Sequence, residues 1–191
     1  MTNRTGKFSY GRMLNSVLIS TFIAAGTAAA QAQTASVAEP AAAFSSARSA
    51  YVEAWESSGL AFAKALLTET KSNGFGQYSP RADADFAAGD PLYVYAEPVG
   101  YAFAQTGTGQ SYQLTASYKL LNGSGQVLAE QQNFAEFSGS GRSLQLQLSA
   151  GLSFEFSGLP GGEYQLETMF TDTVGQQSAS FTLPFTVTGT N

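Results

Sequence analysis

The 191-residue chain has no cysteine and no histidine. Lack of Cys removes disulfides, thiolate nucleophiles and iron–sulfur clusters; lack of His removes Ser-His-Asp and Cys-His nucleophiles, and the two absences together remove Cys/His zinc sites. Without disulfides this fold must stand on its apolar core alone. Charge is also scarce, only 12% of residues, and positive charge is scarcest, with nine Lys and Arg against fourteen Asp and Glu. Basic residues this few and this scattered do not make the one-sided patch that nucleic-acid binding requires. No internal repeat or heptad is present.

The first residues have the composition of a removable leader. Arg4, Lys7 and Arg12 precede an apolar stretch from Met13 to about Ala25, and small residues continue to Ala30-Gln31-Ala32, the spacing of a signal-peptidase site. The apolar stretch falls short of the roughly 20 residues a bilayer needs and is broken by Ser16, Ser20 and Thr21. We therefore expect a signal peptide over residues 1–32 and a periplasmic or secreted product, without the cysteine of a lipid anchor. All fourteen acidic residues but only six of the nine basic ones follow Ala32, so the processed chain carries −8, a charge that favours solubility. About 159 residues remain, enough for one core of ordinary size.

From Ala41 to Lys71 the pattern predicts helix. Phe44, Tyr51, Val52, Trp55, Phe62 and Leu66 recur at three- and four-residue steps, and Ala fills much of the remainder. Ser36 and Glu39 stand in capping-box order, Pro40 suits a first turn, and Asn73-Gly74 supplies a stop. Ser57-Ser58-Gly59 predicts a kink or a division into two helices, because Gly costs roughly 1 kcal/mol against Ala in a helix interior. Residues 33–74 thus read as a helical segment, 75–89 as a linker rich in Gly, Ser, Pro and Asp, and 90–191 as a β domain.

In that domain the period is two. Tyr112, Leu114, Ala116, Tyr118 and Leu120 alternate with polar residues; so do Leu144, Leu146 and Leu148; Leu152, Phe154 and Phe156; Tyr164, Leu166 and Phe170; and Phe181, Leu183, Phe185 and Val187. Gly-rich turns fall at 106–109, 122–125, 138–141, 160–162 and 173–175. Seven to eight antiparallel strands arranged as a β-sandwich are expected. Leu92-Tyr93-Val94-Tyr95-Ala96 is apolar on both faces, so it needs cover on both sides. The stripe carrying Trp55 needs a partner too, which places the helix on the outer face of that sheet.

The run Leu159-Pro160-Gly161-Gly162-Glu163-Tyr164-Gln165-Leu166, with Asp172 in a hairpin and Phe185-Thr186-Val187 at the end, resembles the last two strands of immunoglobulin-like domains of exported bacterial proteins. Those domains commonly carry Pro-Gly-x-Tyr-x-Leu ahead of a penultimate strand. The resemblance spans roughly Phe86 to Val187 and implies an immunoglobulin-like sandwich in which Tyr164 forms a tyrosine corner with upstream backbone. The chain departs from antibody-type domains in having no Cys pair and its only Trp, Trp55, in the helical segment. A fibronectin-like or generic bacterial sandwich is the nearer comparison, and it implies no functional residues.

Few residues point to chemistry. Asp83, Asp85 and Asp90 form an acidic cluster whose oxygens would suit calcium, but the EF-hand spacing is absent and the plainer reading is a solvated loop that caps a turn. Glu97 and Glu155 would make an acid/base pair if a cleft joined them, but alternation places Glu155 on an outward face. Tyr93, Tyr95, Tyr101 and Phe103 form either a recognition patch or a surface covered by the helix. No catalytic residue and no cofactor is expected. The function expected is that of a non-enzymatic exported binding or assembly module of the bacterial envelope, contacting another envelope protein through sandwich edges or loops. The alternatives are a structural accessory protein of the envelope and a calcium- or carbohydrate-binding protein using the 83–90 linker.

Overall fold

A computed structural model describes residues 37–189. The leader expected over 1–32, and Ser36 of the capping box, lie outside the described residues. One helix, α1 (Ala42–Ser58), precedes nine strands: β1 (Ala61–Thr68), β2 (Asp85–Ala87), β3 (Leu92–Val99), β4 (Ala104–Thr106), β5 (Gly109–Asn122), β6 (Val127–Gly141), β7 (Ala150–Phe154), β8 (Gly162–Asp172) and β9 (Gln177–Thr188). None of the described helices is long and apolar enough to cross a membrane.

The strands form two sheets. One has the order β1-β3-β7; the other runs β2-β9-β8-β5-β4, with β6 also paired to β5. Pairing is antiparallel except for β2, which joins β9 in parallel through Asp85↔Thr186, Phe86↔Val187 and Ala87↔Thr188. The wholly antiparallel arrangement expected from the sequence is corrected at this strand, which lies inside the stretch read as a linker. Leu92, Val94, Ala96, Leu152 and Phe154 of the smaller sheet share one cluster with Leu114, Ala116, Leu120, Leu166, Phe170, Phe185 and Val187 of the larger. Along β8 the alternation is strict, with Tyr164, Leu166, Thr168, Phe170 and Asp172 all buried.

The helix expected as far as Lys71 stops thirteen residues earlier, and the second half of that stretch is a strand. Gly59 takes φ 71° and turns the chain, and β1 then pairs along β3 from Ala61↔Val99 to Thr68↔Tyr93. The register shifts between Phe62 and Lys64, so a bulge disrupts the period-two signal. What remains, Leu60, Phe62 and Leu66, mimics helical spacing. Gly100, at φ 72°, packs at the back of this turn: a Cβ there would be driven into the carbonyl of Gly59 and the hydroxyl of Ser58.

Two further expectations change. The Gly-rich run 138–141 is not a turn but the end of β6, with Gly139 opposite Tyr112. A Cβ at 139 would meet the Tyr112 ring, Cε1 at 2.7 Å, so this glycine makes room for a ring and not for a turn. Leu144, Leu146 and Leu148 have the cleanest alternation in the chain yet lie in no strand: residues 142–149 carry the chain from one sheet to the other, between β6 and β7. Leu146 and Leu148 pack on the core, which accounts for the alternation without any strand neighbour.

The helix itself is held at one end. Trp55 is its one buried residue, donating from Nε1 to the carbonyl of Tyr101 at 3.0 Å and meeting that ring edge-on at 5.0 Å. Phe44 and Tyr51 are 60% and 53% exposed, so the ridge expected to lie on the sheet points largely to solvent. The outer face of β3 is covered instead by the segment after β1, where Tyr78 stacks on Tyr95 at 4.1 Å.

Candidate functional site

In the 81–90 segment the carboxylates of Asp83 and Asp90 are engaged locally, and Asp85 takes part through its backbone. Arg81 donates to Asp83 Oδ1 at 3.0 Å and to the carbonyl of Asp85 at 2.7 Å, while the amide of Asp85 donates back to Asp83 Oδ1 at 3.3 Å. The hydrogen bond from Arg81, and then that from the Asp85 amide, hold the Asp83 carboxyl below its ordinary range. Asp90 closes the next turn, its Oδ2 accepting from the amide of Ala87. The calcium expectation at Asp83, Asp85 and Asp90 gains no support: among the described residues no three His, Cys, Asp or Glu side chains are grouped to hold a metal ion.

Glu97 and Glu155 are not brought together. Leu92↔Phe154 and Ala96↔Ala150 set the β3–β7 register, so Glu155 lies just past one end of the ladder and Glu97 just past the other. At about 3.3 Å per residue they are roughly 20 Å apart along the strand. Glu97 instead accepts from the Tyr95 hydroxyl at 2.7 Å, which in turn accepts from the amide of Gly76 at 2.7 Å. Lys64, one strand away and opposite Glu97, donates to the Tyr78 hydroxyl at 2.6 Å. This bond raises the Lys64 pKa, and burial pushes Tyr95 up to about 12. Sequence reasoning missed this network because Lys64 was assigned to a helix and Tyr78 to a linker.

Of the four aromatic residues considered as a patch, Tyr95 and Tyr101 are interior, and Tyr93, like Phe103, is half-buried. Tyr95 is 0% and Tyr101 1% exposed, while Phe103 is half-buried against Tyr101 and Tyr112. Burial raises the Tyr101 and Tyr112 hydroxyl pKa values. Tyr101 donates to the carbonyl of Gln145 in the 142–149 crossing. Tyr164 donates to the carbonyl of Pro160, four residues upstream, at 2.7 Å, the bond expected of a tyrosine corner. Asp172, fully buried, accepts from three backbone amides: Ala102 at 2.7 Å, Val174 at 2.9 Å and Gly175 at 3.0 Å. It thereby closes the β8–β9 hairpin and ties it to the connection between β3 and β4.

Asp83, Asp90, Glu97, Tyr95 and Tyr101 are engaged locally, and the edges of the sheets are a further kind of surface for contact. An unpaired edge invites another strand, and proteins guard against this with charge, proline, bulges or shortness. The β2 edge is three residues long and flanked by Arg81, Asp83 and Asp90. The β6 edge carries Glu130 and Glu136, and its register shifts around Asn133, which takes φ 50° and donates its amide to Ser117 Oγ. The β1 edge has a bulge and Lys64, and Phe62 closes it onto Phe170 and Phe181 at 5.2 and 4.9 Å.

The β4 edge is three residues long, and the β7 edge, together with the crossing that leads into it, carries no charge, proline or bulge. Ser143 to Phe154, twelve residues through the crossing and β7, contains no charge and no proline. β7 is the terminal strand of its sheet, and no backbone–backbone hydrogen bond joins 143–149 to another segment among the described residues. Alongside 143–147 runs a groove of about 690 Å³, walled opposite by Arg48, Tyr51 and Val52 of α1. A twelve-residue run free of charge was visible in the sequence; that no strand pairs with its outer side was not.

No family model matches the chain, and none of the curated proteins compared with it matches either.

Proposed function

We propose that this chain is a non-enzymatic exported module of the bacterial envelope, an immunoglobulin-like sandwich that contacts a protein partner through a sheet edge. The observation carrying this reading is the unguarded edge at 143–154, in a molecule whose other described edges are guarded. Strand addition to such an edge takes affinity from main-chain hydrogen bonds and specificity from alternating side chains, and needs none of the His or Cys chemistry this chain lacks. The Tyr164–Pro160 bond supports the immunoglobulin-like assignment, and the Arg4–Ala32 pattern supports a periplasmic or secreted location.

Native or crosslinked capture from an envelope extract of the producing cells tests the reading. A protein in stoichiometric amount is expected, lost with Gln147→Pro, which removes an edge amide, and unchanged when Asp83, Asp85 and Asp90 become Asn. Empty capture in both forms would put a structural accessory role in its place. Heat release and a raised melting temperature with calcium would move the function to the 83–90 segment.

A further inference from the structure

We infer that the partner at the 143–154 edge is a second copy of this chain, paired antiparallel across a two-fold axis. The inference rests on the edge-contact reading above and names its occupant. A strand run that pairs with itself must be free of like-charge opposition along its length and, ideally, oppositely charged at its two ends. This one meets both conditions. It is bounded by Arg142 before Ser143 and by Glu155 after Phe154, with nothing charged between.

Antiparallel pairing of two copies therefore sets the basic end of each beside the acidic end of the other. Arg48, on the α1 wall of the groove next to Ser143, adds a second cation at the same end. The only ion pair among the described residues is Arg81–Asp83, so Arg142, Arg48 and Glu155 have no ion-pair partner within the chain. With the axis at Ser149, Leu146 faces Leu152 and Leu144 faces Phe154 of the second copy, like side chains on the same side, as the two-residue period requires.

Charge also decides between edges. The chain carries a net negative charge, so two copies repel unless they meet where acidic groups are absent or matched. Self-pairing through β6 about its bulge at Asn133 would bring Glu130 and Glu136 of both copies together. Self-pairing through 143–154 opposes no acidic pair. The groove beside 143–147 leaves room for the far end of the incoming strand, and the contact is isologous, so it closes at two copies and does not propagate into a filament.

Sedimentation velocity over a concentration series, on the protein recovered from the producing cells, tests this. A monomer–dimer equilibrium is expected. Glu155→Arg should weaken it at least about tenfold by setting like charges at both ends of the paired run, and Arg142→Glu combined with Glu155→Arg should restore most of the loss. Both positions are exposed, so the variants retain the fold, which circular dichroism verifies. A chain that stays monomeric at all concentrations, or a dimer indifferent to both charge variants, overturns the inference. A monomeric chain that still captures a different protein through Gln147-sensitive contact overturns the inference alone and leaves the edge-contact reading standing. A chain that neither dimerises nor captures anything overturns both.

Discussion

Thr168 shows how much one atom contributes. Its Oγ1 is the one buried side-chain polar atom among the described residues without a hydrogen-bond partner. An unmet buried hydroxyl carries its full desolvation cost, so Thr168→Val, nearly the same in shape, is expected to raise the unfolding free energy by about 1 kcal/mol, read from denaturant melts. The buried tyrosines act in the opposite sense at alkaline pH. Tyr95, raised to about 12, and Tyr101, raised further, hold their protons in the folded chain to higher pH than an unfolded tyrosine, whose pKa is about 10. Between those values the folded state binds more protons. Stability is thus unaffected below about pH 10 and falls above it, by up to about 1.4 kcal/mol per pH unit for each tyrosine, until the folded-state values are passed. Urea melts from pH 8 to 11.5 check this, and Tyr95→Phe should flatten part of the slope.

At the scale of elements, the helix is a separable piece. An isolated 17-residue helix is marginal in water, and α1 draws its tertiary support from Trp55. Trp55→Ala is expected to cost about 3 kcal/mol and to remove most of the helical circular dichroism while the strands melt cooperatively. Full loss of the β signal would show that α1 is integral to the sheets. What could be read from the residues follows one physical division. Burial of one face writes a period into the chain, so β5, β8 and β9 were legible from 112–120, 164–170 and 181–187. Hydrogen-bond partnership writes nothing. Leu144, Leu146 and Leu148 therefore imitated a strand, β1 was hidden by its bulge, and β6 was hidden because its period is interrupted at Asn133 and its alternating end runs into glycines that read as a turn. The same division explains the site. The absence of charge from 143 to 154 was readable, whereas the position of β7 at the end of its sheet was a fact of topology.

For the whole molecule, the two sheets share one core and are fastened laterally where Phe62 of β1 packs between Phe170 and Phe181. The inner faces of both sheets contribute to one cluster, so they are expected to unfold together. Scanning calorimetry should give one transition with equal calorimetric and van't Hoff enthalpies; two resolved peaks would make the three-stranded sheet an independent unit. With no cysteine, the midpoint should be the same with and without reductant. The peptide unit between Tyr101 and Ala102 has a wider consequence. Its carbonyl is taken by Trp55 and its amide by Asp172, so one rigid plane is gripped from the helix on one side and from the β8–β9 hairpin on the other. A load applied at the amino terminus therefore meets this clamp before it reaches Gly59 and begins to peel β1 away. Tension on a tethered copy would be passed through Asp172 to the six-stranded sheet, giving the fold a mechanical anchor ahead of the β1–β3 ladder.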